Sequence, residues 1–249
     1  MEFIFIILGF VVGFLVGLTG IGGGVLMTPL LIFLGVEPLI AVGTDLLYAA
    51  ITKIVGAILH NKKGNININI ALKLFLGSLP AIIVGSIVLR LVDRVEINNF
   101  LTIILGVILI ITSIINLKGR FVKKICFSSS VLVFFGFLVG LIVQFTSVGS
   151  GVLVTLALTN FTKLLPRSVV GTSIFYGLLL TSLSTLSHIS LGNVDYSLAL
   201  SLILGTIPGV YVGTYVNSNI PQDKLRKFIN LIILFMGIYI LECNLLKFV

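Results

Sequence analysis

The sequence has few charged residues and no tryptophan. Only 10% of its 249 residues are Asp, Glu, Lys or Arg, whereas 58% are hydrophobic and the mean hydropathy is +1.26. Soluble domains carry about 25% charged residues and about 45–50% apolar ones. A soluble fold of this size could not bury so much apolar surface. Composition therefore excludes a soluble enzyme and a disordered chain, and it predicts a polytopic membrane protein.

Residues that ligate metals or form disulfides are equally scarce. The chain has two cysteines, Cys126 and Cys243, and two histidines, His60 and His188. It has no C-x-x-C motif, no zinc-site spacing, no ATP-binding loop and none of the usual hydrolase motifs. We therefore expect no enzyme activity, no metal site, no cofactor and no nucleic-acid partner, despite a net charge of +8.

Apolar residues are grouped into ten segments. A helix needs about 20 apolar residues to cross the hydrocarbon core. Eight segments reach that length, whereas the second and seventh have about ten residues each and follow glycine-rich breaks. We predict an all-α polytopic fold with eight spanning helices and two half-length helices. The segments lie at 3–19, 25–35, 38–59, 69–90, 97–116, 129–145, 152–161, 167–187, 196–216 and 228–246.

Basic residues are concentrated in one set of loops. If the segments alternate in direction, one set of loops and helix ends holds twelve Lys and Arg, and the other set holds three. The positive-inside rule places the first set in the cytoplasm. We predict a multi-pass protein of a prokaryotic cell membrane with both termini external.

The two halves of the sequence resemble each other. G-F-L-V-G-L begins at Gly13 and again at Gly136, and G-T-D-L-L-Y from Gly43 matches G-T-S-I-F-Y from Gly171. Fixed-offset similarity of this kind indicates an internal repeat. Each half has five segments, so the second half enters the membrane from the opposite side. We predict a single transmembrane domain, 1–249, with inverted repeats at about 1–117 and about 127–249.

The glycine-rich breaks are the expected substrate site. Irregular backbone at membrane depth must line a cavity or be buried in protein, and a broken helix presents free N–H groups that attract anions. The alternative is close packing through small residues, with some hydroxyls acting as helix caps and Gln144 bridging helices. The substrate-binding candidates are Gly20, Gly22, Gly23, Gly24, Thr28, Thr44, Gln144, Ser147, Gly149, Ser150, Gly151, Thr172 and Ser173.

Two ionisable residues lie well inside a span. Asp45 and Lys53 share segment 38–59, where a charge costs about 2.5–3.5 kcal/mol on insertion scales and is a functional candidate by default. A carboxyl group there could carry a proton through a transport cycle, or it could instead pair with Lys53. His60 and His188, at equivalent helix ends, are further proton-coupling candidates; capping of the helix ends is the alternative.

These motifs resemble the TauE/SafE family of sulfite exporters. The resemblance rests on G-F-L-V-G-L-T-G-I-G-G-G-V-L-M-T-P-L from Gly13, A-V-G-T-D from Ala41, the two H-x-x-x-G-N turns and their second-half counterparts. It implies ATP-independent transport of sulfite, sulfonates or related small anions, with the breaks and the G-T-[DS] positions as the site. Asp45 stands where Ser or Asn is more usual in that family.

The predicted function is therefore secondary transport of sulfite or a related small sulfur-containing anion, coupled to protons or driven by the anion's own gradient. One alternative is a permease for a cation or another small solute that uses Asp45. The other is a membrane anchor subunit that transports nothing. The expected partners are the lipid bilayer and a small anionic substrate, with a homodimer left open.

Overall fold

The computed structural model describes residues 2–19, 24–118, 128–216 and 222–245. This part of the chain is helical throughout, and its ten helices coincide with the ten predicted segments. The helices are α1 (Glu2–Thr19), α2 (Gly24–Phe33), α3 (Pro38–Lys62), α4 (Ile68–Leu91), α5 (Arg94–Lys118), α6 (Ser129–Thr146), α7 (Val152–Phe161), α8 (Pro166–Ser190), α9 (Tyr196–Val216) and α10 (Gln222–Leu245).

Seven helices, α3 to α6 and α8 to α10, are long and apolar enough to cross a membrane. The stretches Gly24–Phe33 and Val152–Phe161 are shorter, as the sequence predicts, because each adjoins a break. In α1 the apolar stretch Phe3–Leu18 is also below the length of a full span, so α1 is the one helix of the predicted eight that does not meet this criterion. The chain is a multi-pass membrane protein.

The helices pack in pairs that exchange the two halves of the chain. α1 packs along α9 and α6 packs along α4, while α3 lies against α8 and α5 against α10. If α1 to α5 correspond to α6 to α10, the α1–α9 pair is equivalent to the α6–α4 pair. The α3–α8 and α5–α10 pairs each join a helix to its own counterpart across a twofold axis. This pairing is the one expected of a duplicated chain with swapped helices.

The two larger apolar cores follow from this exchange. One core contains residues of α1, α2, α3, α5, α9 and α10, including Leu26 and Leu202. The other contains residues of α3, α4, α6, α7 and α8, including Leu74 and Leu158. A smaller cluster that includes Leu101 and Phe145 joins α3, α4, α5 and α6. Each core therefore combines helices from both halves of the sequence, and α3 contributes to all three.

The structure corrects the predicted register of α1 against α6. A Cβ on Gly9 would lie 2.2 Å from the carbonyl oxygen of Leu202, and one on Gly136 would lie 2.0 Å from that of Leu74. Gly9, not Gly13, is therefore the counterpart of Gly136. The sequence match was displaced by one helical turn because both helices carry a glycine every fourth residue, and such a stripe aligns equally well after a shift of four.

Each α3 and α8 terminus is closed by a glycine turn that explains the H-x-x-x-G-N motifs. Asn65 N donates to His60 O at 3.0 Å, and Asn193 N donates to His188 O at 2.9 Å. Gly64 and Gly192 have φ of +64° and +71°, which glycine adopts without a Cβ clash. These are Schellman motifs, so the spacing that the two H-x-x-x-G-N motifs share is needed for helix termination.

Candidate functional site

The second break joins α6 to α7 through residues 147–151. Ser147 has φ 59° and Gly149 has φ +116°, so the chain reverses sharply after α6. Thr146 Oγ1 donates to Ile142 O at 2.6 Å and accepts from Val148 N at 3.2 Å, which holds the turn. Gly151 precedes α7 without a side-chain cap. The first N–H groups of α7 are thus left without a side-chain acceptor from that position.

The first break lies mostly outside the described residues. Gly20, Gly22 and Gly23, which the sequence analysis assigned to substrate binding, fall in the segment 20–23 that the structure does not describe. Gly24 is the first residue of α2. The position of a Cβ on Gly24 would lie 3.0 Å from Ser147 O. The start of α2 and the second break therefore meet.

A buried hydrogen bond connects α2 to α3 at this junction. Thr28 Oγ1 donates to Asp45 Oδ2 at 2.5 Å, and both side chains are fully buried. The equivalent pair in the second half is Thr155 Oγ1 with Ser173 Oγ at 3.0 Å, between α7 and α8. Ser173 Oγ in turn donates to Val170 O at 3.0 Å. The halves thus place a carboxylate and a hydroxyl at matching points beside the two short helices.

Lys53 lies where α3 crosses α8. A Cβ on Gly177 would lie 3.1 Å from Lys53 Cε and 3.4 Å from Ser150 O, so the lysine side chain runs beside the last residues of the second break. Within the described chain, the one ion pair is the surface contact of Arg94 with Glu37 at 3.8 Å. Asp45 and Lys53 do not form a direct ion pair, although their charges interact over a longer distance.

Thr44 and Thr172 serve loops that begin other helices. Thr44 Oγ1 accepts from Asp195 N at 3.0 Å, and Thr172 Oγ1 accepts from Asn67 N at 2.9 Å. Both threonines are fully buried. Their observed partners are at the starts of α9 and α4, away from the Thr28–Asp45 pair, and contact with a substrate stays a prediction for both.

Gln144 bridges helices. Its Nε2 donates to Ser187 Oγ at 3.0 Å, and Ser187 Oγ lies 2.6 Å from Ser86 Oγ. His188 Nε2 lies 3.0 Å from the backbone oxygen of Gln144. These contacts connect α4, α6 and α8 within one core. His60 and His188 sit at the helix ends described above, which are closed by backbone bonds and not by the imidazoles; their role in capping or in proton transfer stays a prediction.

Two equivalent tyrosine contacts were not anticipated from the sequence. Tyr48 OH lies 3.0 Å from Thr206 Oγ1, and Tyr176 OH lies 2.8 Å from Ser78 Oγ. Thr206 and Ser78 also donate to backbone oxygens of α1 and α6. The sequence signal was present, because Tyr48 and Tyr176 both end the G-T-x-x-x-Y matches. These contacts tie α3 to α9 and α8 to α4.

The arrangement defines a class of protein. Two short helices begin at glycine-rich breaks, and the start of the first meets the second break beside a buried carboxylate. Around them, helices from the first and second halves of the chain pack in pairs. Short helices that follow breaks inside a bundle of apolar helices are typical of membrane transporters.

Comparison with known proteins gives the family. The family model described as sulfite exporter TauE/SafE matches residues 5–240, and the chain belongs to this family. It is 35% identical to the probable membrane transporter protein YjnA of Bacillus subtilis (strain 168), over 94% of this chain and 97% of the relative. It is 30% identical to the probable membrane transporter protein MJ0441 of Methanocaldococcus jannaschii, over 95% and 94%. No solved structure matches it. The protein is therefore a membrane transporter.

Proposed function

We propose that this transporter moves sulfite or a related small sulfur-containing anion by alternating access, using an ion gradient coupled through Asp45. The observation that carries the proposal is the meeting of Gly24, Thr28, Asp45 and Ser147 at the break between α6 and α7. A carboxylate buried inside a span is costly unless it has a role. At the second break, the start of α7 has no side-chain cap and Lys53 runs beside Ser150 O, and both features favour an anion there.

The substrate class follows from the charges around the second break. Lys53 runs beside Ser150, and the hydroxyls of Thr155 and Ser173 lie beside α7. One cation, hydroxyls and free N–H groups suit a small oxyanion that accepts several hydrogen bonds. The family description names sulfite exporters, and sulfite is such an anion.

Alternating access is supported by the way polar contacts are distributed. Thr28–Asp45, Thr44–Asp195 and Tyr48–Thr206 lie within the helices of the first core. Their counterparts Thr155–Ser173, Thr172–Asn67 and Tyr176–Ser78 lie within the second. The facing helices α3 and α8 pack closely, with Gly43 against Asn193 O and Gly171 against Asn65 O, so they form the central contact between the two groups. Two internally bonded groups around a central site can rock against each other.

Transport of labelled sulfite into proteoliposomes tests the proposed function. We expect saturable flux that exceeds that of protein-free liposomes and that responds to an imposed pH or sodium gradient. Excess unlabelled sulfite should compete, whereas an uncharged solute of similar size should not. Absence of flux for sulfite, sulfonates and thiosulfate in correctly reconstituted protein would contradict the substrate assignment.

The orientation in the membrane is a separate prediction. Because the basic loops are placed inside, a reporter that is active only outside the cytoplasm should be active when fused after Val249. A fusion within the loop after Lys62 should read as cytoplasmic. The reverse pattern would contradict the assignment of both termini to the outside.

A further inference from the structure

Four oxygens lie together beside the first residue of α2. Outside Gly24 and its neighbours in α2, the three heavy atoms nearest to the position of a Cβ on Gly24 are Ser147 O at 3.0 Å, Asp45 Oδ2 at 3.4 Å and Ser147 Oγ at 3.6 Å. All three are oxygens. Thr28 Oγ1 adds a fourth oxygen next to the same carboxylate. The space between these four oxygens is here called the gap.

Two of the polar atoms around the gap have no hydrogen-bond partner. Asp45 Oδ1 and Ser147 Oγ are both buried without one, and their side chains are 0% and 2% exposed. Buried polar groups are nearly always paired. Two unpaired oxygens at one junction, one of them on a carboxylate, indicate a ligand that is positive or donates hydrogen bonds.

Charge favours a positive ligand. Among the described residues no cation lies within 4.0 Å of Asp45. Lys53 lies eight positions further along α3, which corresponds to about 12 Å along the helix axis. Asp45 therefore has no direct ion-pair partner and interacts with Lys53 only over a longer distance, and a buried carboxylate that lacks a direct partner is destabilising. A cation in the gap would supply that counter-charge.

The backbone at Ser147 is also arranged for a cation. Ser147 is the C-cap of α6, with φ 59°, and its N–H donates to Val143 O at 2.8 Å. Its carbonyl oxygen is the atom nearest to the position of a Cβ on Gly24, and it lies at the helix end, where backbone carbonyls carry partial negative charge. Unwound carbonyls and C-terminal ends of broken helices are the groups that coordinate cations in transporters of this architecture.

We propose that this gap binds one dehydrated sodium ion, held by the Asp45 carboxylate, the Ser147 hydroxyl and carbonyl, and the Thr28 hydroxyl. One carboxylate balances a single positive charge, whereas calcium usually takes six to eight oxygens and often several carboxylates. The described residues contain no group of three His, Cys, Asp or Glu that could hold a metal ion, and the ligands proposed here are one carboxylate with hydroxyl and carbonyl oxygens. This is why motif spacing in the sequence gave no sign of it.

The second half lacks the carboxylate, so the stoichiometry is one ion per chain. Ser173 stands at the position of Asp45 and is already bonded to Thr155 and Val170. The assignment of sodium as the coupling ion rests on the proposed function. With sodium balancing Asp45 and a monovalent anion balancing Lys53, the loaded site carries no net charge.

Sodium binding to the purified protein tests the proposal without any substrate. The probe is radioactive sodium in a choline chloride buffer of constant ionic strength. We expect saturable binding of one ion per chain. Asp45→Asn and Ser147→Ala should each weaken it by about 10- to 100-fold, the loss typical for groups that hold a metal site. Ser147→Ala isolates the hydroxyl, because alanine and serine meet similar strain at positive φ.

Ser184→Ala is the matched control. Ser184 Oγ is likewise buried and unpaired, on α8, but it lies outside the gap, so this variant should bind sodium like the parent. Absence of saturable binding in monodisperse parent protein, as expected for a buried water or for a proton on Asp45, would overturn the site. Sodium binding without sulfite flux would instead reject the proposed function and leave the site standing.

Discussion

Substitution of Asp45 by asparagine is expected to lower gradient-driven anion flux by at least about 100-fold, the size of effect seen when a positioned charged group is removed from a reaction coordinate. The amide keeps the shape of the side chain and can still accept from Thr28 Oγ1, which lies 2.5 Å from Asp45 Oδ2. It cannot bind a proton or balance a cation. The variant should therefore fold and yet fail to couple transport to the gradient.

Counterflow and driven flux in the same proteoliposomes separate coupling from substrate binding. Asp45→Asn should still exchange labelled for unlabelled sulfite when no gradient is imposed, because Lys53 and the Thr155–Ser173 pair are unchanged. Glu96→Gln, the same chemical change at an exposed residue in the first turn of α5, should transport like the parent. Driven flux in Asp45→Asn equal to that of the parent would remove Asp45 from the mechanism.

Hydropathy and glycine placement were enough to predict the helices. An apolar segment in a membrane has to form backbone hydrogen bonds within itself, so segment length alone predicts a helix. The break at 146–151 was recognisable because glycines and hydroxyls interrupt a hydrophobic run at both corresponding places. Asp45 stood out for the same reason, since a charge inside a span is rare.

The relations between distant segments were predicted less well. The pairing of Gly24 with Ser147 depends on how two breaks approach in space, and no sequence spacing encodes that distance. Thr44 and Thr172 were grouped with the site by depth in the membrane, but their oxygens accept from Asp195 N and Asn67 N. Depth places residues in a layer, whereas a contact also requires that the two helices face each other.

The misaligned glycine stripe illustrates the same limit. In α1 a glycine recurs at every fourth position from Gly9, so similarity to α6 is nearly as good after a shift of one turn. Packing removes the ambiguity, because each glycine meets a particular backbone oxygen on the opposing helix. Gly77 and Gly205, at matching positions of α4 and α9, are the complementary side of these two interfaces.

Substitution of Gly77 by alanine should therefore destabilise the protein strongly. A Cβ there would lie only 1.9 Å from Val133 O and 2.8 Å from Val133 C, both backbone atoms of α6 that cannot rotate away. Alanine gains about 1 kcal/mol of helix propensity over glycine, but overpacking typically costs about 1–3 kcal/mol and sometimes more. Because the clash is with backbone atoms, we expect a cost at or above the upper end of this range. The free energy of unfolding should therefore fall by a net amount of about 2 kcal/mol or more.

Gly56→Ala separates this clash from the general effect of a methyl group. Its Cβ would lie 3.2 Å from Ile174 Cγ2, a side-chain atom that can shift, so the gain in helix propensity should roughly offset the crowding. Thermal unfolding of the detergent-purified variants measures both. Gly205→Ala would place a Cβ 1.9 Å from Ile6 O. If α9 and α1 pack as α4 and α6 do, this variant should lose about as much stability as Gly77→Ala. Parent-like stability of Gly77→Ala would mean that α4 and α6 do not approach this closely, and the swapped pairing of the two halves would have to be redrawn.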